Sequence, residues 1–435
     1  MNAIVRILGL CCFIVCQSAI SSELSEDQYA SAIEAIGRQL ETAYVIPAEG
    51  KLIAQALRGA WATSEINHEN AAQFAAEVTR ILQSVNQDGH LSLKADVSAN
   101  AALLQSDTVE EADDDYWLQQ ARAENWGIEA YRRLPGNIAY LNLTGFWDVG
   151  PGREKLAAAL RLMEDAAGVV IDLRYNGGGS PQMVAFLTSY FVSDQRLLMT
   201  FYDGLTQQSS ESHAMATVPG RRLSGMPLYV LTSAGTGSAA EEFASHVRWF
   251  ELGTLVGQPT YGAAYNNSLL PIASEFVLSL STGMPVHPVS KGNWEAEGVQ
   301  PHHVTSADAA LAVAHAQLLK DLIAAKPAGD EAQALRWYLT YLEVLQQPHS
   351  ISAAQQRCMV GVYGTDREIT WVDDELKYRR SGRPASRLVA LDDSTFVLHD
   401  NADIRLRLAS AESDCDTLEL RTVDGSVVRY SRPDK

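Results

Sequence analysis

Apolar residues recur along the first hundred positions at helical spacing. Tyr29, Ile33, Ile36 and Leu40 fall four, three and four residues apart, which puts them on one face of an amphipathic helix. Ser25 and Gln28 stand where a capping box would open that helix, and Pro47 marks its end. Similar periods run over 51–60 and through Phe74, Val78, Ile81, Leu82 and Val85, until Asp88-Gly89 breaks the pattern. Residues 22–105 therefore read as a small helical domain.

The texture changes after an acidic run of Glu110, Glu111, Asp113, Asp114 and Asp115, which lacks apolar periodicity and reads as a solvated linker. Residues 138–143 then read as a strand, 154–166 as a helix and 168–173 as a buried strand. The order repeats with a strand at 228–232 and a helix from about Ser238 to Phe250. Strands alternating with helices predict an α/β core over 106–325. A helical linker is expected over 326–354. Short alternating segments from 355 to 435, such as Thr395-Phe396-Val397-Leu398 and Ile404-Arg405-Leu406-Arg407-Leu408, predict a small antiparallel β domain.

The first 21 residues stand apart from this fold. Arg6 precedes the apolar run 7–15, about nine residues long, which is too short to cross a bilayer and suits the core of a secretory leader. Ala19 and Ser21 supply small residues for cleavage before Ser22, so the expected location is the periplasm or beyond. Cys16 is not read as a lipid anchor, because Phe13-Ile14-Val15 offers no small residue before it. No later stretch is apolar enough for stable membrane insertion. Cleavage would remove Cys11, Cys12 and Cys16 and leave Cys358 and Cys415, either bridged in an oxidising compartment or buried as two thiols.

Charge narrows the partners. The 34 basic and 53 acidic residues give −19, and −20 once Arg6 is gone, so nucleic acid and anionic membrane surfaces find no basic patch. With 46% hydrophobic and 20% charged residues, the chain has the means to bury a core.

Three segments carry candidate chemistry. Asp172-Leu173-Arg174-Tyr175-Asn176-Gly177-Gly178-Gly179-Ser180 sets three glycines after a buried strand, where backbone amides can approach a ligand. It matches neither phosphate-loop pattern and has no lysine for a nucleotide. Asp172 and Arg174 read as a structural ion pair. Thr236-Gly237-Ser238-Ala239-Ala240-Glu241-Glu242-Phe243 opens a helix, so Ser238 is either a nucleophile beside helix N-terminal amides or the cap of a Ser-x-x-Glu box. Asp88-Gly89-His90 places a histidine after a helix-ending glycine. There is no His-Glu-x-x-His, and His302-His303 lacks the spacing of a metal site, so neither metal nor cofactor is expected.

Together these segments, with Leu40-Glu41-Thr42-Ala43-Tyr44-Val45-Ile46-Pro47 before them and Asn293-Trp294-Glu295-Ala296-Glu297-Gly298-Val299-Gln300-Pro301 after them, resemble the S41 serine peptidases. This is the tail-specific or C-terminal-processing protease superfamily, and the likeness is to the branch related to the interphotoreceptor retinoid-binding protein and the tricorn core protease. The resemblance implies an α/β (α+β) core of the ClpP/crotonase type. It also implies an exported serine endopeptidase acting on protein or peptide substrates, in unfolded or tail segments. It makes Ser238 the nucleophile, His90 the general base and Glu295 the carboxylate of the array, with the amides of Ala239 and of Gly177 or Gly178 as the oxyanion hole. Ala263 stands where the other branch carries a catalytic lysine, which rules out a Ser–Lys dyad on this alignment, and nothing resembles that branch's PDZ domain. Gly89 departs from the serine that precedes the tricorn-type histidine. Glu297 is a second acid near Glu295, and the sequence does not choose between them. The same fold serves some relatives as a carrier, so a non-catalytic binder of an apolar ligand and a serine esterase stay open beside the peptidase.

Overall fold

The structure is a computed structural model that describes residues 24–105, 117–204, 206–408 and 415–433. The expected leader at 1–21 and the acidic run at 110–115 lie outside the described residues.

The chain enters through three helices, α1 (Glu26–Ala43), α2 (Pro47–Ala62) and α3 (Ala71–Gln83). The Ser25–Gln28 capping box is present: the Ser25 amide donates to Gln28 Oε1 at 2.8 Å, and the Gln28 amide donates to Ser25 Oγ at 3.4 Å. Tyr29, Ile33, Ile36, Leu40, Leu57 and Phe74 are fully or almost fully buried, each worth roughly 1.5–3 kcal/mol of burial.

After β1 (Ser92–Ala95) and α4 (Val97–Gln105), the core runs through β2 (Ile128–Leu134), β3 (Ile138–Leu143), α5 (Gly152–Arg161), β4 (Gly168–Asp172), α6 (Pro181–Phe191), β5 (Leu197–Asp203) and β6 (Gln208–His213). It continues through β7 (Leu228–Thr232), α7 (Ala239–Trp249), β8 (Thr254–Gly257), β9 (Asn266–Ile272), β10 (Phe276–Val286) and β11 (His303–Val304) to α8 (Ala310–Ala325). One six-stranded sheet has the order β11-β8-β7-β4-β3-β2, parallel except at the β2–β3 pair. Successive residues of β4 point to opposite faces, and both faces are covered. Val169 and Ile171 meet Leu156 of α5, Leu187 of α6 and Phe243 of α7, while Val170 meets Leu318 of α8. That is why 168–172 is apolar without alternation up to Asp172.

The second sheet runs β1-β10-β5-β6 with β9 also on β10, all antiparallel. Ser92 of β1 pairs with Ser279 of β10, and the helices α1–α3 share one apolar cluster with Ile272, Phe276, Leu278 and Leu280. The core of the first hundred residues is thus completed by strands almost two hundred positions away.

α9 (Asp330–Gln346), which falls in the expected linker, is packed along its length. Leu335 joins the cluster of α8, while Tyr341 and Val344 meet Val389 and Val397 of the C-terminal region. α10 (Ala353–Met359) leads into β12 (Gly361–Tyr363), β13 (Arg367–Val372), β14 (Glu375–Arg380), β15 (Ser386–Ala390), β16 (Thr395–Leu398), β17 (Asn401–Leu408), β18 (Thr417–Thr422) and β19 (Val427–Ser431), an antiparallel meander. It curls until the Gly364 amide donates to the Ser431 carbonyl at 2.8 Å, giving a barrel-like sheet. Cys358 and Cys415 are bridged, with Cα atoms 5.4 Å apart. Among the described residues no helix is long and apolar enough to cross a membrane.

Candidate active site

The two parallel strands β4 and β7 are adjacent, so the loops leaving their C-terminal ends meet above the sheet edge. The first loop carries Asn176-Gly177-Gly178-Gly179 and the second Thr236-Gly237-Ser238. Asn176, wholly buried, joins them. Its Nδ2 donates to the Leu143 carbonyl at 2.9 Å, its Oδ1 accepts the Gly178 amide at 2.9 Å, and its carbonyl accepts the Gly237 amide at 3.0 Å. Gly178, at φ +116°, runs so close to the second loop that a β-carbon there would lie 2.8 Å from Ser238 Cβ, so only glycine fits.

Ser238 itself has φ +52° and ψ −122°, a strained conformation for a residue with a side chain, at the N-terminus of α7. What holds it is Glu241, which is fully buried. The Glu241 carboxylate accepts from the Ser238 amide at 2.8 Å, Thr260 Oγ1 at 2.5 Å, the Gly262 amide at 2.7 Å and the Ala263 amide at 2.9 Å. Burial still pushes this carboxyl above its ordinary value. Position 263 thus contributes its backbone to the clamp.

Of the expected oxyanion donors, the amides of Gly177 and Ala239 donate to no acceptor among the described residues. The Gly178 amide donates to Asn176 Oδ1, so of the two glycines the sequence left open Gly177 is the one whose amide is unengaged among the described residues.

His90 sits at the end of a second buried support. Asp88, wholly buried, accepts the His90 amide on Oδ1 at 2.9 Å and Tyr44 Oη on Oδ2 at 2.9 Å. Ser279 Oγ donates to the His90 carbonyl at 2.6 Å, so β10 carries the histidine loop. Tyr261 links this loop to the serine turn: its ring would lie 2.6 Å from a β-carbon on Gly89, and its amide donates to the Thr236 carbonyl at 2.9 Å. Burial lowers the His90 pKa below the ordinary imidazole value.

Glu295 and Glu297 differ in surroundings. Glu297 is exposed, whereas Glu295 Oε2 accepts the amides of Ala264 at 2.6 Å and Tyr265 at 3.1 Å. Burial, with the Asp88 charge adding to it, raises the Glu295 carboxyl to about 7. His90 Nδ1 and Glu295 Oε1 are both buried without a hydrogen-bond partner, so the bond that would join base and carboxylate is not made in this structure. Asp172 and Arg174 are the ion pair expected, with Nη2 to Oδ2 at 2.6 Å and Tyr140 Oη on the same carboxylate at 2.7 Å.

Sequence reasoning passed over several groups around this turn. Asn176, Asp88 and Tyr44 act on partners remote in sequence. The Ser-x-x-Glu spacing did point to Glu241, but only for one of its four hydrogen bonds.

Residues 137–305 match the model of Peptidase family S41. A carboxyl-terminal-processing protease of Synechocystis sp. is 30% identical over 142 residues, 32% of this chain and 31% of that protein. The tricorn protease of Thermoplasma volcanium is 25% identical over 153 residues, 34% of this chain and 13% of that one. The chain therefore spans under a third of the length of either relative. Among solved structures, a lipoprotein from Streptococcus agalactiae superposes with a TM-score of 0.46 at 18% identity, covering 68% of this chain and 98% of the other. The photosystem II D1 C-terminal processing protease superposes at 0.42 and 16% identity, covering 66% and 94%. The segment that runs from β3 through β11 and holds Gly177, Ser238 and Glu295 is the part of the chain that matches Peptidase family S41.

Proposed function

We propose that the protein is an exported serine endopeptidase that cuts exposed peptide segments through an acyl-enzyme on Ser238. The observation that carries this reading is the strained Ser238 turn, clamped by Glu241 between the unengaged amides of Gly177 and Ala239. In the proposed reaction Ser238 Oγ attacks the peptide carbonyl while His90 takes its proton. The carbonyl oxygen gathers negative charge against the two amides, each worth roughly 3 kcal/mol of transition-state stabilisation. The C–N bond then breaks, His90 returns the proton to the leaving amine, and water releases the acyl group by the same steps in reverse. Glu295 completes the array by turning its unpartnered Oε1 to His90 Nδ1 as charge develops on the imidazole.

Because burial disfavours the imidazolium, His90 is a free base at neutral pH, and the acid limb of kcat/KM should fall below the ordinary histidine pKa of about 6.5. Export rests on the leader and agrees with the Cys358–Cys415 bridge. The mature N-terminus should be Ser22 by Edman sequencing of the protein recovered from a periplasmic extract.

The test is mass-spectrometric mapping of new termini in a denatured-proteome peptide library, with Ser238→Ala and His90→Ala run in parallel. New termini from the unaltered protein that vanish in both variants are expected. Cleavage that persists in Ser238→Ala would end the reading.

A further inference from the structure

Ser238, Glu242 and His246 follow one another at intervals of four, so they form a stripe along α7. Beside Ser238 this stripe borders a cavity of about 120 Å³, lined also by Gly179, Ala239, Tyr265 and Trp294, large enough for a side chain rather than a single water. Glu242 is 2% exposed, and it accepts no hydrogen bond among the described residues. Its Oε1 lies 3.4 Å from His246 Nε2 without bonding to it, and both nitrogens of His246 are likewise buried and unpartnered.

The groups behind Glu242 do not supply the missing charge. Burial pushes His246 down to about 3, and burial with the neighbouring His246 does the same to His287. His287 packs 5.4 Å from His246, ring centre to ring centre, and its Nδ1 accepts the Val289 amide, which leaves the proton on Nε2. Both imidazoles are therefore neutral, and among the described residues no lysine or arginine pairs with Glu242. With nothing to offset burial, the Glu242 carboxyl rises to about 8. A buried carboxyl left this way lowers stability, and it becomes favourable once a donor enters the cavity.

The carbonyl that Ser238 attacks belongs to the residue preceding the scissile bond, and that residue's side chain leaves from the same α-carbon, beside Ala239. Resting on the peptidase reading above, we propose that this cavity receives that side chain and that Glu242 makes it select lysine or arginine. The ammonium or guanidinium would bring both the hydrogen-bond donors and the positive charge that Glu242 lacks. A norleucine or other apolar side chain of like length would fill the space and leave the carboxyl buried and unmatched.

Two measurements separate this proposal from the reading it rests on. Peptides alike except for lysine, arginine, norleucine or citrulline before the scissile bond are compared by kcat/KM with the purified full chain. The cationic pair is expected to lead by at least about tenfold, and Glu242→Gln to bring the ratio close to one. Product peptides ending in lysine or norleucine are then titrated calorimetrically into Ser238→Ala, which reads the cavity without chemistry. Tenfold tighter binding of the lysine peptide supports the pocket even if no peptide is cleaved, in which case the peptidase reading alone falls. Equal binding of both peptides, or cleavage indifferent to this side chain, would overturn the pocket. The lysine-to-norleucine exchange needs no altered carboxyl, so it still decides the matter if the Glu242→Gln chain fails to fold.

Discussion

Glu241 and Glu242 are consecutive, equally buried and on the same first turn of α7, yet their surroundings are opposites. Glu241 closes a network of four donors drawn from the serine turn and from 260–263. Glu242 faces the neutral His246, which His287 backs, and a cavity, with no hydrogen bond among the described residues. A satisfied buried carboxylate fixes geometry, because each partner left without it would be an unmet donor. An unsatisfied one stores unfavourable energy that only a ligand or a proton relieves. The first kind holds Ser238 in its strained turn, and the second kind gives the neighbouring cavity something to recognise.

The strongest way to break the contrast is Glu241→Ala. It strands the Ser238, Gly262 and Ala263 amides and the Thr260 hydroxyl, so a loss of about 4 kcal/mol is expected in urea unfolding, together with loss of peptidase activity. A cost no larger than that of Glu242→Ala would remove the distinction. Next in size is the disulfide, far from either carboxylate. Opening a bridge across 57 residues with Cys358→Ala and Cys415→Ala should cost the C-terminal sheet about 4 kcal/mol at most, read by calorimetry as a lowered transition. The turn of Ser238 should be untouched by it.

Glu242→Gln sharpens the contrast in the other direction. The folded carboxyl titrates near 8 against about 4.5 when unfolded, so between these values the folded state holds a proton that the unfolded state has lost. Stability therefore falls as pH rises through that window, the opposite of a salt-bridged acid. His246 and His287, held neutral, act with the reverse sign and lower stability as pH drops from about 6.5 toward 3. Above pH 8, Glu242→Gln should be more stable than the unaltered protein by on the order of 2 kcal/mol, and near pH 5 the two should converge in thermal unfolding. The smallest effect is expected from Tyr44→Phe, which removes one bond to Asp88 and so loosens the support of His90 by about 1 kcal/mol, with a lower kcat at unchanged KM.

Much of this fold is legible in one dimension. The helical periods of 26–43 and 71–83, the buried runs at 168–172 and 228–232 and most strands of the C-terminal meander are local signals, and the structure has an element at each. β5, β6, β9 and β10 escaped notice: β6 carries no apolar residue, and the apolar residues of β9 and β10 close on helices remote in sequence. The packing of 330–346 was equally hidden: a helix shows its apolar face in sequence, but not which two bodies that face touches. At the site, the Ser238 and triple-glycine turns were visible because turn chemistry is local, while the clamp on the serine and the link from Asp88 to Tyr44 were not.

The sequence by itself therefore determined which residue types stand at each turn, since glycines, caps and periods act within a few residues of chain. Only the tertiary structure decided which of two adjacent glutamates is satisfied and which acid near 295 accepts backbone amides. Those outcomes depend on donors that arrive from 19 to 31 residues away and on the water that packing excludes, and neither leaves a mark on the local pattern.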